Sequence, residues 1–273
     1  MENGTITYTQ LLREDLGIFR VTPDDGVPDF KAGQFLNLGL PLESKIVNRA
    51  YSIASSPENR DYFEFVIRWV RKPLPGRLTS LLFNAKEGDK ISWTKPAGTL
   101  TINDTLPNGE KDTRRIVCIG GGTGLAPFIS FAQHLHDTND KREIVILHGA
   151  SYVDELSYKQ LLTDLENESI AKGADKWNFK YRAAISRPQE WTNRAWHGYK
   201  GRIEQFLRTG DNGKSPLEEL VGEKITADNT MFYVCGWQGT IDGVMDYLKA
   251  KNFVTEKNKR EDGSYEVKFE SYG

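Results

Sequence analysis

The chain has 273 residues, 38% hydrophobic and 27% charged, with a formal net charge of −2. That length sets a soft expectation of roughly two domains, and the composition is that of a packed globular chain rather than a disordered one. Near-balanced charge argues against general nucleic-acid binding. The two cysteines, Cys118 and Cys235, stand far apart with no C-x-x-C between them, so a zinc ribbon is excluded. A plant-type [2Fe–2S] cluster needs four thiolates, so no iron–sulfur cluster is expected in this chain. His134 and His136 are two positions apart and cannot share a helix face, and no metal site is expected. The opening MENGTITYTQLLRED lacks a basic region followed by an apolar run, and no apolar stretch is long enough for a membrane span. The expected location is the cytoplasm, with reduced thiols.

Up to about residue 102 the pattern is strand-like: GIFRVT, GQFLNL, AYSIAS, YFEFVIRWV, KISWT and GTLTI. Turn signals separate them, at Pro23-Asp24-Asp25-Gly26, Pro75-Gly76, Gly88-Asp89 and Pro96-Ala97-Gly98. Such a run of short strands predicts a small antiparallel barrel or sandwich, with one short helix over LTSLLFNA. Within NRAYSIASSP, alternation puts Arg49, Tyr51 and Ile53 on one face, and Ala50, Ser52 and Ala54 on the other. A cation beside an aromatic ring suits a flat anionic ligand, or it is a cation–π pair on a plain sheet.

The polar stretch NDTLPNGEKDTRR, 103–115, reads as a linker or domain edge. After it, the strands IVCIG, EIVILHG, FKYRAAIS and MFYVCG alternate with the helical stretches LAPFISFAQHLHD and SYKQLLTDLENE, which predicts a parallel sheet with helical crossovers. IVCIGGGTGLAPFISFAQHL reads as strand, glycine loop and helix, with Leu125, Phe128, Ile129 and Ala132 on one helix face and Pro127 in the first turn. Such a loop can bring backbone N–H groups to a pyrophosphate at a helix N-terminus, or can be a tight turn in an ordinary parallel sheet. It is not G-x-G-x-x-G, because Pro127 takes the third glycine's place. EIVILHGA ends without the acidic residue that reads a ribose 2′-hydroxyl. Ser186, Arg187 and Lys200-Gly201-Arg202 follow strand ends. They suit a ribose 2′-phosphate, or form a solvated basic loop.

Taken together, five stretches resemble the ferredoxin–NADP reductases, a family of FAD flavoproteins. RAYSIASS is similar to the family's R-x-Y-S motif and Gly76-Arg77-Leu78-Thr79 to its G-x-x-S/T. GGGTGLAPF is similar to its NADPH loop, CGWQGTIDGV to its C-G-x-x-G-x-x-x-G, and FESYG to its terminal E-x-Y. The motifs span nearly the whole chain in the family's order. Plant members end on the tyrosine, whereas Gly273 follows Tyr272 here. Ser186-Arg187 looks plant-like and Gly201-Arg202-Ile203 bacterial.

The resemblance implies two domains: an antiparallel β-barrel FAD domain over 1–110, and a Rossmann-like parallel-sheet NADP domain over 111–273 with a C-terminal strand. For FAD it implies Arg49, Ala50, Tyr51 and Ser52, with Arg49 on the pyrophosphate, Tyr51 stacked on the isoalloxazine and Ser52 near N5. It adds Val66, Ile67 and Arg68 along the ring, and Gly76, Arg77, Leu78 and Thr79 at the pyrophosphate. For NADPH it implies Gly122, Thr123 and Gly124 at the pyrophosphate, Ser186, Arg187 and Arg202 at the 2′-phosphate, and Cys235 with Gly236 beside the nicotinamide. Glu270 would be a C-terminal relay carboxylate and Tyr272 a cover for the other flavin face, so the catalytic set is Ser52, Cys235, Glu270 and Tyr272.

Read from the residues alone, Cys235 is a small core side chain and Glu270 a solvated edge residue. The implied activity is electron transfer between NADPH and ferredoxin or flavodoxin, with Arg68, Arg71, Lys72 and Arg77 as a docking rim. The alternative is an NADH-dependent flavin reductase serving an oxygenase system. No role is assigned to Trp237 or to 207–230.

Overall fold

A computed structural model describes residues 1–71 and 76–272; Lys72, Pro75 and Gly273, all used in the sequence reading, lie outside the described residues. By its packing the chain divides into two units, residues 1–102 with 126–138, and residues 103–125 with 139 onward. The sequence reading placed the change near 110; packing places it at 102/103 and groups one later helix with the first unit.

In the first unit β1 (Glu2–Arg13), β2 (Leu16–Pro23), β3 (Phe35–Leu42), β4 (Lys45–Ser52), β5 (Phe63–Arg68) and β6 (Lys90–Trp93) form one sheet in the order β4-β3-β6-β1-β2-β5. Every pairing in it is antiparallel. The strands alternate because one face must fill the core: Phe19 and Val21, Leu36 and Leu38, and Phe63, Phe65 and Ile67 meet Ile6, Ile91 and Trp93 there. Just beyond β4 the Ala54 N–H donates to the Glu64 carbonyl at 2.7 Å, which brings the two outer strands together and closes the barrel. The helix α1 (Arg77–Asn84) lies where its apolar spacing predicts. Two expectations change. β1 was not assigned from the sequence, and GTLTI forms no strand; near it only Ala97 bridges to Phe35.

In the second unit β7 (Arg115–Gly121), β8 (Ile144–Ala150), β9 (Phe179–Ile185), β10 (Tyr199–Lys200), β11 (Thr230–Gly236) and β12 (Val267–Ser271) form a sheet in the order β10-β9-β8-β7-β11-β12. All its pairings are parallel. The α-helices after α1 are α2 (Ala126–Asp137), α3 (Lys159–Lys172), α4 (Pro216–Val221) and α5 (Gln238–Ala250), of which α2 is the one grouped with the first unit. Strand order reverses direction between β7 and β11, and in open parallel sheets ligands bind at the carboxyl ends flanking that point.

The polar segment 207–230 is part of this unit's core: Leu207, Leu217 and Ile225 are buried in it. Ser215 caps α4, accepting from Glu218 N–H at 3.3 Å while the Glu218 carboxylate accepts from Ser215 N–H at 2.8 Å. Among the described residues no helix is long and apolar enough to cross a membrane.

Candidate functional site

In the first unit, two motifs distant in sequence come together because α1 packs against β3 and β4. Arg49 on β4 and Arg77 at the start of α1 are exposed, and neither has an ion pair or hydrogen bond among the described residues. Gly76 caps α1 with no side-chain cap hydrogen bond among the described residues, and the first turn holds no acidic residue. The Thr79 and Ser80 hydroxyls turn away from those N–H groups and donate to the Gly76 carbonyl, at 3.1 and 2.8 Å. A Cβ on Gly76 would stand 2.5 Å from Thr79 Oγ1, so a side chain there would displace the Thr79 hydroxyl from the Gly76 carbonyl. Two open cations beside an uncapped helix start form an anion-receiving end.

Tyr51 sits opposite Leu36 and packs on the barrel core, in which Leu78 is also buried. Its hydroxyl is buried without a hydrogen-bond partner among the described residues. Burial pushes the phenol's pKa up, against a smaller pull from Arg49, so it is neutral at neutral pH. Ala50 is exposed and Ser52 half-buried at the last position of β4. The strict alternation expected across NRAYSIASSP ends there. Ile53 N–H still donates to the Gln34 carbonyl beside β3, but Ala54 pairs with Glu64 beside β5, and both Ile53 and Ala54 are fully buried.

On β5, Val66 and Ile67 are buried, and Arg68 donates to the Asp15 carboxylate at 2.9 Å. Arg71 donates to the Glu14 carbonyl at 3.0 Å and lies over the Trp69 ring. The expected basic rim therefore contains two arginines engaged by acidic neighbours, Arg68 and Arg71, and one open arginine, Arg77.

In the second unit the glycine loop and the C-G motif interlock, because β7 and β11 pair with Gly120 opposite Cys235. Gly122 has φ +57° and open space where a Cβ would point. Gly124 is different: its Cβ would stand 2.3 Å from the Cys235 carbonyl oxygen. A Cβ on Gly121 would stand 2.9 Å from Thr240 Oγ1 in the first turn of α5, so glycines read as a ligand cradle also let the end of β7 meet the end of β11 and the start of α5. Tyr272 closes this junction. Its N–H donates to the Gly236 carbonyl at 3.3 Å and its hydroxyl to the Gly121 carbonyl at 3.2 Å, with Thr123 Oγ1 also 3.2 Å from that hydroxyl. Trp237, half-exposed, meets the Tyr272 ring edge-on at 6.3 Å.

Cys235 is fully buried; burial, then the nearby Glu270 carboxylate, push its thiol pKa up, so it stays protonated and is no nucleophile. Glu270 pairs opposite Cys235 in register, and burial raises its pKa too. The sequence pattern alone made it a solvated edge residue; it is half-buried.

Along the same sheet edge, Ser186 N–H donates to the Ala150 carbonyl and Gly201 N–H to the Ile185 carbonyl, both at 2.9 Å, so the ends of β8, β9 and β10 line up. This brings Ser186, Arg187 and Arg202 to one edge, all exposed. Arg187 Nη1 donates to the Tyr152 hydroxyl at 2.9 Å, and Arg202 Nε lies 2.6 Å from Glu204 Oε1. Two acidic residues follow β8: Asp154 is exposed, and Glu155 is buried, accepting from the N–H groups of Ser151 and Tyr152 at 3.1 and 3.3 Å.

Residues 4–102 match the oxidoreductase FAD-binding domain and residues 118–246 the oxidoreductase NAD-binding domain. A curated relative, the ferredoxin–NADP reductase of Azotobacter vinelandii, is 30% identical over 86% of this chain and 84% of its own length. The chain belongs to the ferredoxin–NADP reductase family. It is an FAD- and NAD(P)-dependent oxidoreductase of that family. The propane 2-monooxygenase reductase component of Mycolicibacterium goodii is 28% identical, over 87% of this chain and 60% of its own length. A solved structure of a ferredoxin NADP+ reductase from Neisseria gonorrhoeae with bound FAD and NADP has a TM-score of 0.77 at 22% identity, covering 98% of this chain and 97% of that one. At that identity the likeness is one of fold.

The first unit fits the family's flavin. It offers an anion-receiving end at Arg49, Arg77 and the start of α1, and a buried phenol hydroxyl that lacks an acceptor among the described residues. The last glycine of the family's C-G-x-x-G-x-x-x-G spacing also gains a physical reason: Glu204 Oε1 lies 3.0 Å from where a Cβ on Gly243 would stand, whereas a Cβ on Gly239 would make only an ordinary contact, 3.9 Å from Arg202 Nη2. Gly243, on α5, leaves room for the Glu204 side chain that pairs with Arg202. Sequence reading named neither Glu204 nor Tyr152. Gly243 was the available signal for the first, and nothing marked the second.

Proposed function

We propose that the chain transfers electrons between NADPH and a one-electron carrier, ferredoxin or flavodoxin, by way of FAD. When bound, the flavin supplies the step between a two-electron hydride and single electrons. Arg49, Arg77 and the N–H groups at the start of α1 bind and neutralise its pyrophosphate. Tyr51 would pack against the ring and donate its hydroxyl, and Ser52, at the end of β4, would offer a hydroxyl to the ring's reacting edge. Val66, Ile67 and Arg68 line the ring through backbone groups.

For the nucleotide, Gly122 and Thr123 approach the pyrophosphate and Gly124 seats the loop. Cys235 and Gly236 shape the nicotinamide position, with the protonated thiol acting as a packing group. Tyr272, held to Gly121 and Gly236, covers that position until the nicotinamide takes its place, and Glu270 holds or relays a proton beside it.

The observation that favours NADPH over NADH is the edge formed by β8, β9 and β10. Arg187 and Arg202 stand exposed there, and of the two acidic residues after β8 Glu155 is spent on its own loop's N–H groups, with Asp154 the exposed one. A guanidinium pair suits a phosphate dianion. The carrier is proposed from those curated relatives that are ferredoxin or flavodoxin reductases. A second reading, an NADH-dependent reductase serving an oxygenase, has the monooxygenase reductase relative in its favour. Turnover measured with NADPH and NADH, each against ferredoxin and flavodoxin, separates the two. A preference for NADH with neither carrier reduced would reject the first.

A further inference from the structure

One side chain at the edge formed by β8, β9 and β10 belongs to no motif and makes three hydrogen bonds to backbone. Asn193 ends a single 3-10 turn, Trp191–Asn193, in the polar loop after β9, and it is 2% exposed. Its Oδ1 accepts from the Val153 N–H at 2.9 Å, and its Nδ2 donates to the Ser151 carbonyl at 3.0 Å and to the Arg187 carbonyl at 2.8 Å. The orientation of the amide is forced, since a backbone N–H can only donate and two carbonyls can only accept.

The two β8-side partners, Ser151 and Val153, flank Tyr152, and the third is Arg187 itself. Asn193 therefore clamps the loop after β8 to the loop after β9 through their backbones. The Arg187–Tyr152 side-chain bond spans those same two loops. Glu155 holds the Ser151 and Tyr152 N–H groups from the other side. The polar interior of the two loops is thus consumed in fixing one outward-facing pair.

We infer that Asn193 is a positioning residue for 2′-phosphate recognition, setting the relative placement of Tyr152 and Arg187 and through it the discrimination between NADPH and NADH. The inference rests on the NADPH reading above. A planar guanidinium binds a phosphate through directed hydrogen bonds, so a loop freed to shift weakens the phosphate contact far more than contacts to the rest of the nucleotide.

The test uses FAD-loaded protein and two probes, 2′,5′-ADP and 5′-ADP, titrated by calorimetry into wild type, Asn193→Ala and Asn193→Asp. Wild type should bind 2′,5′-ADP the more tightly. Asn193→Ala should narrow that gap by about tenfold, the effect of one lost polar contact, and leave 5′-ADP affinity within about twofold. The KM for NADPH should rise with kcat unchanged. Asn193→Asp keeps the size and the bond from Val153 but cannot donate to either carbonyl, and it should narrow the gap too; it carries the test if the alanine variant does not fold. Equal weakening of both probes assigns Asn193 a merely structural role and overturns the inference, as does an unchanged gap. Absence of any gap in wild type removes the NADPH reading itself, and the inference with it.

Discussion

Removing one oxygen from Tyr51 should strengthen the protein without flavin and weaken its hold on flavin. The Tyr51 hydroxyl is buried and has no hydrogen-bond partner among the described residues, while its ring packs on the barrel core. A buried donor left unsatisfied costs about 1–3 kcal/mol. Tyr51→Phe keeps the ring and deletes the group that bears this cost, so the apoprotein should gain up to that amount. For a chain of this size each kcal/mol moves Tm by roughly 2–4 °C. With FAD bound, the hydroxyl gains the acceptor it lacks, so the wild type no longer bears the penalty and the variant has no bond to make. The FAD Kd of Tyr51→Phe should therefore rise by the same free energy, about 5- to 150-fold. Flavin fluorescence titration of the apoprotein reads the affinity, and thermal unfolding of the same sample reads the stability. An apoprotein destabilised by the substitution would mean that the hydroxyl already has a partner. A stabilised apoprotein with unchanged FAD affinity would mean that flavin is not what completes it.

The two loop glycines should separate cleanly. Gly124→Ala drives a Cβ into the Cys235 backbone and should cost about 3 kcal/mol or more with loss of NADPH-driven reduction, whereas Gly122→Ala has open space and should cost only the left-handed backbone penalty of about 1–2 kcal/mol; equal Tm losses in the two variants would defeat this reading. Glu270 gives a pH signature. Burial raises its pKa in the folded protein, so its contribution is fully present below the unfolded carboxylate value of about 4.3 and is lost as pH rises through the folded value. Tm measured against pH should fall more steeply above that point for wild type than for Glu270→Gln, and parallel curves would show that the group titrates alike in both states.

The fold class was legible because hydrophobic period changes from two to mixed strand and helix near residue 103, and that change follows directly from which faces are buried. What escaped was set by tertiary context. β1 pairs with β6 over Glu2–Thr5 and with β2 from Gly4 to Arg13, yet its TITYTQ stretch carries few large apolar residues, so alternation alone drew no strand there. GTLTI has strand-like residues but only its neighbour Ala97 bridges to β3. Ser52 lies at the point where the chain leaves β3 for β5, a crossing that no local pattern announces. The glycine motifs were visible, but half of their reason was not. Gly124 answers to a carbonyl that lies about a hundred residues on, at Cys235. Asn193 was invisible in principle: a polar residue in a polar loop shows its role only when its three backbone partners are in place.

The central claim is that reducing equivalents enter as hydride from NADPH and leave singly. Anaerobic rapid mixing of the FAD-loaded protein with NADPH or NADH, followed by oxidised ferredoxin or flavodoxin, tests it directly. The flavin absorbance should bleach much faster with NADPH than with NADH, and the reduced protein should then reduce at least one of the two carriers. Equal or faster bleaching by NADH, with both carriers left oxidised, would contradict the claim.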